Sequence, residues 1–368
     1  MNIAITGANG FLGKNLIYKI IDKKNIKINK ITRKTKKKEL EKILLESKII
    51  FHFAGVNRSK NKKNFIIDNI DYTKYMCDFL KKNNKKSKIV FTSSTQITSK
   101  SDYGKSKLIC EKILIKHAKI NNSKISIFRL PNVFGKWSKP NYNSVVSTFC
   151  NNIARNKKVF ISDPKKNISL VYIDDLIDSF VEIINKDISK NKIFYEAYPV
   201  KKITLNELFL IISNFEKSRK KCFISDFNDS FNKKLYSTFI SFLPKSKFTY
   251  PLVAKKDKRG SFIEFLKNDN IGQISVFIAK KNTTRGKHFH HTKVEKFLVV
   301  KGSAKFKLRN MANNDSAEFK LDYKNPKVIE SIPGWTHYIQ NTGKDDLIVL
   351  LWSNEVFNAK KPDTIYHE

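Results

Sequence analysis

The N-terminal stretch Met1-Asn-Ile-Ala-Ile-Thr-Gly7-Ala-Asn-Gly10-Phe-Leu-Gly13 decides the fold of the first part of the chain. Its apolar run Ile3–Ile5 predicts a buried strand, and the residues after Gly10 predict a helix. Glycines at such a junction allow a tight turn, close approach of the backbone to a pyrophosphate, and packing of the helix on the strand. The free N–H groups at the helix N-terminus then face the phosphates. The stretch therefore predicts a dinucleotide site.

Short apolar runs alternate with helical stretches over the first 180 residues. The predicted strands are Ile3–Ile5, Ile26–Ile31, Ile49–Phe53, Lys88–Thr92 and Ile125–Leu130. The predicted helices lie near 11–22, 69–82 and 102–118. Strands that alternate with helices form βαβ units and a parallel sheet that is covered on both faces. We therefore predict a doubly wound α/β fold of the Rossmann type.

The pattern changes in the C-terminal part of the chain. One more helix is predicted over 203–217, where Thr204-Leu-Asn-Glu207 has the spacing of a capping box. After about residue 252, short strands follow one another with turn residues between them, as is typical of a β-sandwich or barrel. These strands are predicted at 273–279, 296–301, 304–309, 326–332 and 346–352.

Length and composition agree with two domains. At ~150 residues per domain, the 368 residues suggest two, and Pro244 and Pro251 mark a boundary that gives domains 1–247 and 252–368. A hydrophobic content of 40% excludes a wholly disordered chain. No apolar run approaches the ~18 residues that span a membrane, and the start lacks the charged region of a signal peptide. With four scattered cysteines that fit reduced thiols, we expect a cytoplasmic protein without membrane insertion.

The formal charge of +39 first suggests a polyanionic partner such as nucleic acid. However, eight of the 72 basic residues are arginines, which leaves 64 lysines (72 − 8), whereas dedicated nucleic-acid surfaces favour arginine. The lysines are also spread along the chain. We therefore expect no nucleic-acid partner. A polyanion-binding protein on an enzyme-derived fold stays open as the alternative from another functional class.

The end of the second predicted strand bears on the choice between NADH and NADPH. An acidic residue there would bind the ribose 2′-hydroxyl of NADH. The sequence instead has Arg33 and Lys34, which can pair with the 2′-phosphate of NADPH or can be ordinary surface charges. This segment therefore favours NADPH.

A second group of residues indicates hydride-transfer chemistry. Tyr103 and Lys107 have the Tyr-x-x-x-Lys spacing, which puts both side chains on one helix face. A lysine beside a tyrosine is expected to lower the pKa of the phenol, which can then exchange a proton with a carbonyl or alcohol oxygen. Ser93 and Ser94, at the end of the strand just upstream, offer a hydroxyl to the same oxygen.

The N-terminal two-thirds of the chain resembles the extended short-chain dehydrogenases/reductases that act on nucleotide sugars. The resemblance rests on Gly7/Gly10/Gly13, Phe53-Ala-Gly55, Ser93-Ser94, Tyr103/Lys107, Arg129–Gly135 and Val171–Asp175. It implies a catalytic set of Ser94, Tyr103 and Lys107, with Ser93 as the fallback for the hydroxyl. The cofactor-binding residues that it implies are Gly7, Gly10, Phe11, Leu12, Gly13, Arg33, Ala54, Gly55, Tyr103, Lys107 and Asn132.

The same resemblance implies where the sugar nucleotide binds. In the family, the segment after Pro131-Asn132 turns towards the nicotinamide and the sugar nucleotide, so Asn132, Lys136 and Asn143 are contact candidates, with a purely structural loop as the alternative. Eight residues separate Ser94 from Tyr103, fewer than in many extended members. We therefore expect a more open sugar pocket.

The C-terminal part carries a candidate metal site made of His288, His290, Glu295 and His337. Positions 288 and 290 of a strand point to one side, so both imidazoles can converge on one ion, with the other two side chains on neighbouring strands. Nitrogen and carboxylate ligands suit Zn, Fe, Ni or Mn. The double motif resembles that of the cupin family, which implies an all-β cupin barrel. His291 falls on the other face and is not expected to be a ligand.

The order of the two parts resembles bifunctional capsular-polysaccharide enzymes of the UDP-N-acetyl-L-fucosamine pathway. Supporting segments are Phe53–Arg58, Gly135–Asn143, Asp257–Glu264 and His290–Val300. The resemblance implies a homodimer, a bound Zn²⁺, NADPH, and a UDP-4-keto-6-deoxy-HexNAc substrate, UDP-2-acetamido-2,6-dideoxy-L-arabino-4-hexulose. The cupin part would epimerise C3, and the reductase part would then reduce the C4 ketone to give a UDP-2-acetamido-2,6-dideoxy-L-talose.

The order of steps follows from chemistry, because the C4 ketone that acidifies the C3 proton is lost on reduction. The epimerase base is left open, since Lys287, Lys296 and Tyr338 all lie near the motif. A second alternative is a monofunctional 4-ketosugar-nucleotide reductase whose cupin part is structural or binds sugar.

Overall fold

The chain folds as two compact units, shown by a computed structural model that describes residues 1–59, 61–185, 192–224, 227–313 and 315–367. The first unit comprises Met1–Ser213 and Lys233–Pro244, and the second comprises Asn214–Asn232 and Lys245–Glu368. The segment 214–232 groups with the second unit, in which the backbone of Cys222 and Ile224 hydrogen-bonds to Lys267 at 2.7 and 2.9 Å. The predicted domains 1–247 and 252–368 differ from these units, because the prediction keeps residues 214–232 in the first domain.

The first unit is built on two sheets. Its strands are β1 (Asn2–Thr6), β2 (Lys27–Ile31), β3 (Ile49–His52), β4 (Lys88–Ser94), β5 (Ile125–Leu130), β6 (Asn132–Phe134), β7 (Asn167–Tyr172), β8 (Phe194–Tyr195) and β9 (Val200–Thr204). The larger sheet has the order β2-β1-β3-β4-β5-β8, and all its strands are parallel. The smaller sheet has the order β6-β7-β9.

The α-helices of the described ranges are α1 (Phe11–Ile20), α2 (Lys37–Glu46), α3 (Lys63–Phe65), α4 (Tyr72–Lys82), α5 (Asp102–Asn121), α6 (Val145–Ala154), α7 (Ile173–Asn185), α8 (Leu205–Lys220) and α9 (Ser230–Ser241). Helices α1 and α7 pack on one face of the larger sheet, and α2, α4 and α5 pack on the other. A π-helix, Ile66–Asp71, joins α3 to α4. None of the helices in the described ranges combines the length and hydrophobicity that crossing a bilayer requires.

Alternation along the strands sends side chains into two separate cores. Ile3 and Ile5 of β1 pack with α1 and α7, whereas Ala4 between them packs on the opposite face with α4 and α5. Each face is therefore buried, as a parallel sheet requires. This confirms the predicted doubly wound α/β fold, and it places the carboxyl ends of β1, β3 and β4 at one edge of the sheet.

The second unit is all-β. Its strands are β10 (Ala254–Asp257), β11 (Gly260–Asn268), β12 (Gly272–Ala279), β13 (Thr284–Phe289), β14 (Glu295–Lys301), β15 (Ser303–Asn310), β16 (Ser316–Asp322), β17 (Val328–Glu330), β18 (Trp335–Asn341), β19 (Leu347–Ser353) and β20 (Ile365–Tyr366). They form two sheets, with orders β10-β11-β12-β19-β14-β17 and β16-β15-β18-β13-β20.

The two sheets of the second unit share one core. Phe277, Phe297 and Val349 from the six-stranded sheet pack in the same cluster as Phe306 and Ile339 from the five-stranded sheet. Within the described ranges, hydrogen bonds do not close the strands into a single barrel. The all-β prediction is therefore confirmed, with two sheets around a common core in place of the closed barrel.

Candidate active sites

The glycine-rich turn between β1 and α1 has a backbone that only small residues tolerate. Gly7 has a φ of +65°, and a Cβ there would lie 2.8 Å from the backbone nitrogen of Ala54. A Cβ on Gly13 would lie 2.5 Å from the carbonyl oxygen of Gly7. The N-cap of α1 is Gly10, and no side chain caps the helix there. The turn thus leaves a helix N-terminus available for an anionic group, at the position where the sequence predicts the pyrophosphate.

A buried polar network holds the segment after β3 against this turn. The Thr6 hydroxyl lies 2.9 Å from His52 Nδ1 and accepts a hydrogen bond from the Ala54 N–H at 3.0 Å. Burial, with a smaller effect of the Lys107 charge, lowers the pKa of His52 to about 3. The imidazole is therefore neutral and serves as a structural bridge.

Asn69, in the π-helix, plays a similar role for the next residues of this segment. Its side chain accepts a hydrogen bond from Val56 N at 2.7 Å and donates to Val56 O at 3.0 Å. Gly55, with a φ of +153°, leaves no room for a Cβ, which would lie 2.9 Å from Asn69 Oδ1. The sequence analysis did not identify Thr6, His52 and Asn69 as residues that support this segment. The only sequence signal for them was that each is a polar residue among apolar positions of a strand or helix.

Arg33 follows the end of β2, where the cofactor ribose was predicted to bind. Its side chain is 84% exposed, and Nη2 lies 3.2 Å from Oδ2 of Asp68. The guanidinium is thus accessible to a 2′-phosphate, for which Asp68 is an internal competitor.

The structure brings Ser94 and Tyr103 together. Ser94 ends β4 and hydrogen-bonds to the Tyr103 phenol. Ser101 caps α5 by accepting a hydrogen bond from Gly104 N at 3.1 Å, so Tyr103 stands in the first turn of that helix. The fallback, Ser93, is also buried, but its hydroxyl has no hydrogen-bond partner among the described residues.

Lys107 lies one turn further along α5, on the buried side. Its Nζ donates to the Thr92 carbonyl at 2.8 Å and lies 4.5 Å from the centre of the Phe91 ring. Burial lowers the pKa of Lys107 to about 8. The ammonium is therefore positioned by the same strand end that carries Ser94.

The predicted lowering of the tyrosine pKa is wrong for this structure. Burial raises the pKa of Tyr103 to about 12, and the hydrogen bond from Ser94 offsets only part of this effect. Desolvation of the phenolate is the largest effect on this pKa, and the Lys107 ammonium, which donates to the Thr92 carbonyl, does not reverse it. Tyr103 is consequently neutral at physiological pH and holds a proton that it can donate.

A hollow of about 720 Å³ lies beside this strand end in the first unit. Asn132 and Asn143 line it together with Arg58, which donates to the Tyr142 carbonyl at 2.8 Å. Lys136 does not line it and instead pairs with Asp174 at 2.5 Å. The structure thus places two of the three contact candidates at one hollow, and it adds Arg58, which sequence reasoning quoted only as part of a motif.

The second unit brings the four predicted metal ligands together. One ligand atom from each of His288, His290, Glu295 and His337 lies within 4.8 Å of the others. His290, Glu295 and His337 are at least 94% buried. His291 is exposed and lies outside the cluster, as expected.

The hydrogen bonds of this cluster fit a cation. His290 Nδ1 lies 2.5 Å from the carbonyl oxygen of Asp363, which can only accept, so the Nδ1 carries a proton. In the neutral ring, Nε2 then presents a lone pair to Oε2 of Glu295 at 3.2 Å. Among the residues that the structure describes, neither ring nitrogen of His337 has a hydrogen-bond partner, although Nε2 lies 3.4 Å from the same carboxylate oxygen. Several buried lone pairs that converge without protons between them are what a divalent metal satisfies.

The charge of Glu295 supports the same conclusion. Burial alone would raise its pKa, but the neighbouring His290 and His337 and the charge of Lys293, whose Nζ lies 3.1 Å from Oε1, hold the pKa well below the usual range. Burial and the neighbouring His337 lower the pKa of His288 to about 3. His288 is therefore a neutral imidazole and Glu295 a carboxylate, the forms that bind metal.

Asp363 organises the loop that carries His290, and sequence reasoning missed it. Its carboxylate accepts hydrogen bonds from the backbone N–H groups of His291, Thr292 and Lys293 at 2.8–2.9 Å. Although burial opposes it, these hydrogen bonds hold the pKa of Asp363 well below its usual range. No sequence signal could have found this contact, because Asp363 lies 73 residues from His290.

None of the three residues considered as the epimerase base faces the metal cluster. Lys287 and Tyr338 line a different hollow, and Lys296 forms an ion pair with Glu330. The pocket of about 270 Å³ that contains the cluster is lined instead by Arg285, Lys293 and Tyr366, among others.

These two sites define a chain that joins a dinucleotide-type α/β unit to an all-β unit with a histidine-rich centre. The chain belongs to the NAD dependent epimerase/dehydratase family, which matches residues 3–195. Residues 255–365 match the polysaccharide biosynthesis C-terminal domain. Membership of the first family confirms the predicted resemblance and indicates an enzyme with a nicotinamide cofactor.

Full-length relatives combine the same two parts. The chain is 40% identical over 364 residues, 99% of its length and 98% of the relative's, to the UDP-2-acetamido-2,6-beta-L-arabino-hexul-4-ose reductase of Pseudomonas aeruginosa. The crystal structure of the capsular polysaccharide assembling protein CapF from Staphylococcus aureus matches with a TM-score of 0.93 and 40% identity, covering 100% of both chains.

A more distant structure matches the first part alone. The UDP-N-acetylglucosamine 4-epimerase from Methanobrevibacter ruminantium, in complex with UDP-N-acetylmuramic acid, covers 66% of this chain and 97% of its own. Its TM-score is 0.57 at 21% identity, so this likeness concerns the fold.

Proposed function

We propose that the chain is a bifunctional nucleotide-sugar enzyme that epimerises C3 of UDP-2-acetamido-2,6-dideoxy-L-arabino-4-hexulose and then reduces its C4 ketone. The observation that carries the proposal is that one chain contains two complete residue sets, Ser94, Tyr103 and Lys107 in one unit and a His₃Glu cluster in the other. The reductase relative from Pseudomonas aeruginosa, whose name states this class of substrate, supports it. We assign the two activities to domains 1–247 and 252–368.

The epimerisation belongs to the second unit. A ketone at C4 acidifies the proton on C3, and a base that removes it leaves negative charge on the ketone oxygen. A zinc ion held by His288, His290, Glu295 and His337 would supply Lewis-acid stabilisation for that charge. Asp363 orients His290 because its backbone carbonyl accepts a hydrogen bond from the Nδ1–H, while its carboxylate holds the following loop. Return of a proton from the other face of the ring inverts C3.

The reduction belongs to the first unit. NADPH bound at the glycine-rich turn would supply the hydride that C4 accepts. Tyr103 donates the proton that the C4 oxygen then needs, because its raised pKa keeps the phenol protonated. Ser94 positions that phenol, and the Lys107 ammonium stabilises the phenolate that remains. The product is a UDP-2-acetamido-2,6-dideoxy-L-talose.

NADPH is proposed over NADH because Arg33, with Lys34 beside it, presents an exposed guanidinium at the end of β2. Zinc is proposed because three nitrogens and one carboxylate make a four-ligand set of the kind it takes. A cytoplasmic location agrees with the cysteine side chains, which are free in this structure.

A homodimer is proposed from the outer face of the six-stranded sheet. Val276, Leu350, Leu298 and Val328 align in register across four neighbouring strands, β12, β19, β14 and β17. Leu350 is 37% exposed and Val328 59% exposed. A row of apolar side chains on an exposed sheet face suits a second copy of the chain.

The proposal is tested by incubating the zinc-loaded protein with the 4-ketosugar nucleotide and NADPH in deuterated water. We expect a product with deuterium at C3, inverted configuration at C3 and a new hydroxyl at C4, all measured by NMR. Reduction without deuterium at C3 would instead support the monofunctional reductase. A product with neither deuterium at C3 nor a new hydroxyl at C4 would contradict both the bifunctional enzyme and the monofunctional reductase.

A further inference from the structure

The pocket around the metal cluster contains an arginine with vacant hydrogen-bond donors. Arg285 lines this pocket together with His288, Glu295 and His337. Its side chain is 14% exposed, and its Nε and Nη2 atoms are buried without a hydrogen-bond partner among the described residues. A guanidinium is always charged, so vacant donors in a buried place are costly unless a ligand fills them.

A β-bulge brings Arg285 to the metal side of its strand. Strict alternation would place residues 285 and 288 on opposite faces. Lys287, however, has a φ of +62°, and the pairing of β13 with β18 shifts there, so that Arg285 pairs with Ile339 and His288 with His337. Ile339 and His337 are two residues apart on one face, which is about 7 Å along a strand. The guanidinium therefore enters the pocket from the same face as His288, at a position two residues along β18 from His337.

Two other arginines show which groups the Nε and Nη2 atoms of a guanidinium bind in this chain. Arg129 donates from Nε and Nη2 to the carboxylate of Glu111, at 3.1 and 2.7 Å. Arg259 donates from the same two nitrogens to a single oxygen of Asp257, Oδ2, at 3.1 and 2.6 Å. Arg285 presents the same pair of nitrogens. The nearest acid, Asp257, lies 3.6 Å from Nη2, and its carboxylate is already bound by Arg259.

The other cations of the pocket are engaged with acids. Lys255 pairs with Glu264 at 2.8 Å, and Lys293 pairs with Glu295 at 3.1 Å. Among the described residues, Arg285 therefore differs from the other basic side chains that line this pocket, because its Nε and Nη2 donors lack an acceptor. The pocket has room for an anion from outside the protein at this position.

We infer that Arg285 binds the diphosphate of the nucleotide sugar while its hexulose ring lies at the metal cluster. This inference rests on the proposed function, in which the substrate has one strongly anionic group, the diphosphate. The fork of Nε and Nη2 matches two phosphate oxygens, as it matches two carboxylate oxygens elsewhere in this chain. Arg285 thus acts as a specificity residue for nucleotide-linked ketosugars in the epimerase pocket.

The test measures deuterium exchange at C3 by the zinc-loaded full chain without NADPH. For Arg285→Gln we expect the KM for the ketosugar nucleotide to rise about ten- to hundredfold, with little change in kcat. Inhibition of the exchange by UDP should weaken by the same factor. Arg285→Lys keeps the charge but loses the pair of nitrogens Nε and Nη2. Its KM should therefore lie between that of the unaltered protein and that of Arg285→Gln. Arg259→Gln is the matched control, because its fork is already bound to Asp257.

The outcomes separate this inference from the proposed function. If the unaltered protein shows no exchange, the proposed function fails. If it exchanges and Arg285→Gln retains the KM and the UDP inhibition, the inference about Arg285 is wrong. A fall in kcat with unchanged UDP inhibition also overturns it, because the guanidinium would then act on the sugar ring. Should Arg285→Gln lose zinc, Arg285→Lys decides, and unchanged UDP inhibition in that zinc-loaded variant overturns the inference.

Discussion

Tyr103 is the proton donor of the proposed reduction, and its surroundings suit donation of a proton. Burial raises its pKa to about 12, so it is protonated at any pH at which the enzyme would work. The second unit contains none of this machinery. Tyr103→Phe should therefore abolish NADPH oxidation while deuterium exchange at C3 continues. A loss of both activities in a folded variant would show that the two reactions share one site.

Lys107 should set the upper pH limit of the reduction. Its pKa is lowered to about 8 by burial, so the ammonium is charged below that pH and becomes neutral above it. Without the charge, the phenolate left by Tyr103 is less stable, and kcat/KM for NADPH oxidation should decrease as the pH rises above 8. Lys107→Arg should remove this decrease because arginine stays charged. An unchanged pH profile in that variant would assign the ionisation to another group.

Arg33 should control the choice of cofactor. Its exposed guanidinium can bind the 2′-phosphate that NADPH has and NADH lacks. We expect Arg33→Ala to raise the KM for NADPH about tenfold or more and to leave the KM for NADH unchanged. Asp68→Asn, which removes the internal partner of Arg33, should instead favour NADPH. Equal changes for both cofactors on Arg33→Ala would mean that Arg33 acts on the fold.

At the scale of elements, the segment that leads into β20 supports the metal site. Asp363 precedes this strand, accepts three backbone N–H groups from the loop after His290, and offers its carbonyl to the imidazole. Asp363→Ala should therefore weaken zinc binding about ten- to hundredfold, measured by competition with a chromophoric chelator. Asp322→Ala is the control, since Asp322 accepts a backbone N–H from Lys324 within a turn outside the cluster. Equal zinc affinities in both variants would refute the role of Asp363.

The elements also explain which parts of the sites were predictable. Local patterns suffice where one segment carries the chemistry, as in the turn around Gly7 and in the Tyr103–Lys107 spacing on α5. The candidate metal cluster was predictable because two of its members, His288 and His290, are close in sequence. Arg285 was not, since the bulge at Lys287 reverses the face that alternation assigns to it.

Contacts distant in sequence had no local signal either. Asp363 reaches His290 across 73 residues, and Asn69 reaches Ser106 across 37. The sign of the Tyr103 pKa shift was missed for a related reason. It depends on how deeply the phenol is buried and on where the Lys107 ammonium is held, and spacing along a helix determines neither.

At the scale of the whole molecule, the charge of +39 acquires a specific meaning. Both proposed ligands, NADPH and a UDP-sugar, are anions, and a strongly positive protein attracts them from a distance. Close to the sites, the structure uses individual charges for separate purposes. Arg33 is exposed beside the cofactor turn, Lys107 is buried beside Tyr103, and Arg285 faces the metal pocket. The general excess of lysine and two of these placed charges, Arg33 and Arg285, would thus act on the same proposed anions, whereas Lys107 would act on Tyr103.

Two separate sites in one chain imply that the epimerised ketosugar must pass from one site to the other. The ketone is a stable molecule, so it can leave one protein and enter another. We therefore expect Tyr103→Phe, which lacks the proton donor, and His290→Ala, which lacks a metal ligand, each to form no L-talo product alone. An equimolar mixture should form it, with NADPH oxidation and product NMR as the measurements.

Tyr103→Phe mixed with Lys107→Met is the matched control and should stay inactive, because both variants lack a working reductase and either can epimerise. If the first mixture is silent although Tyr103→Phe exchanges C3 and His290→Ala binds NADPH, the intermediate is not released. The two sites would then have to act on one substrate molecule without its dissociation. The epimerisation is proposed for the second unit and the reduction for the first, so the same ketosugar has to reach both sites. A productive mixture instead establishes that each unit recognises the nucleotide sugar for itself, as the vacant fork of Arg285 requires.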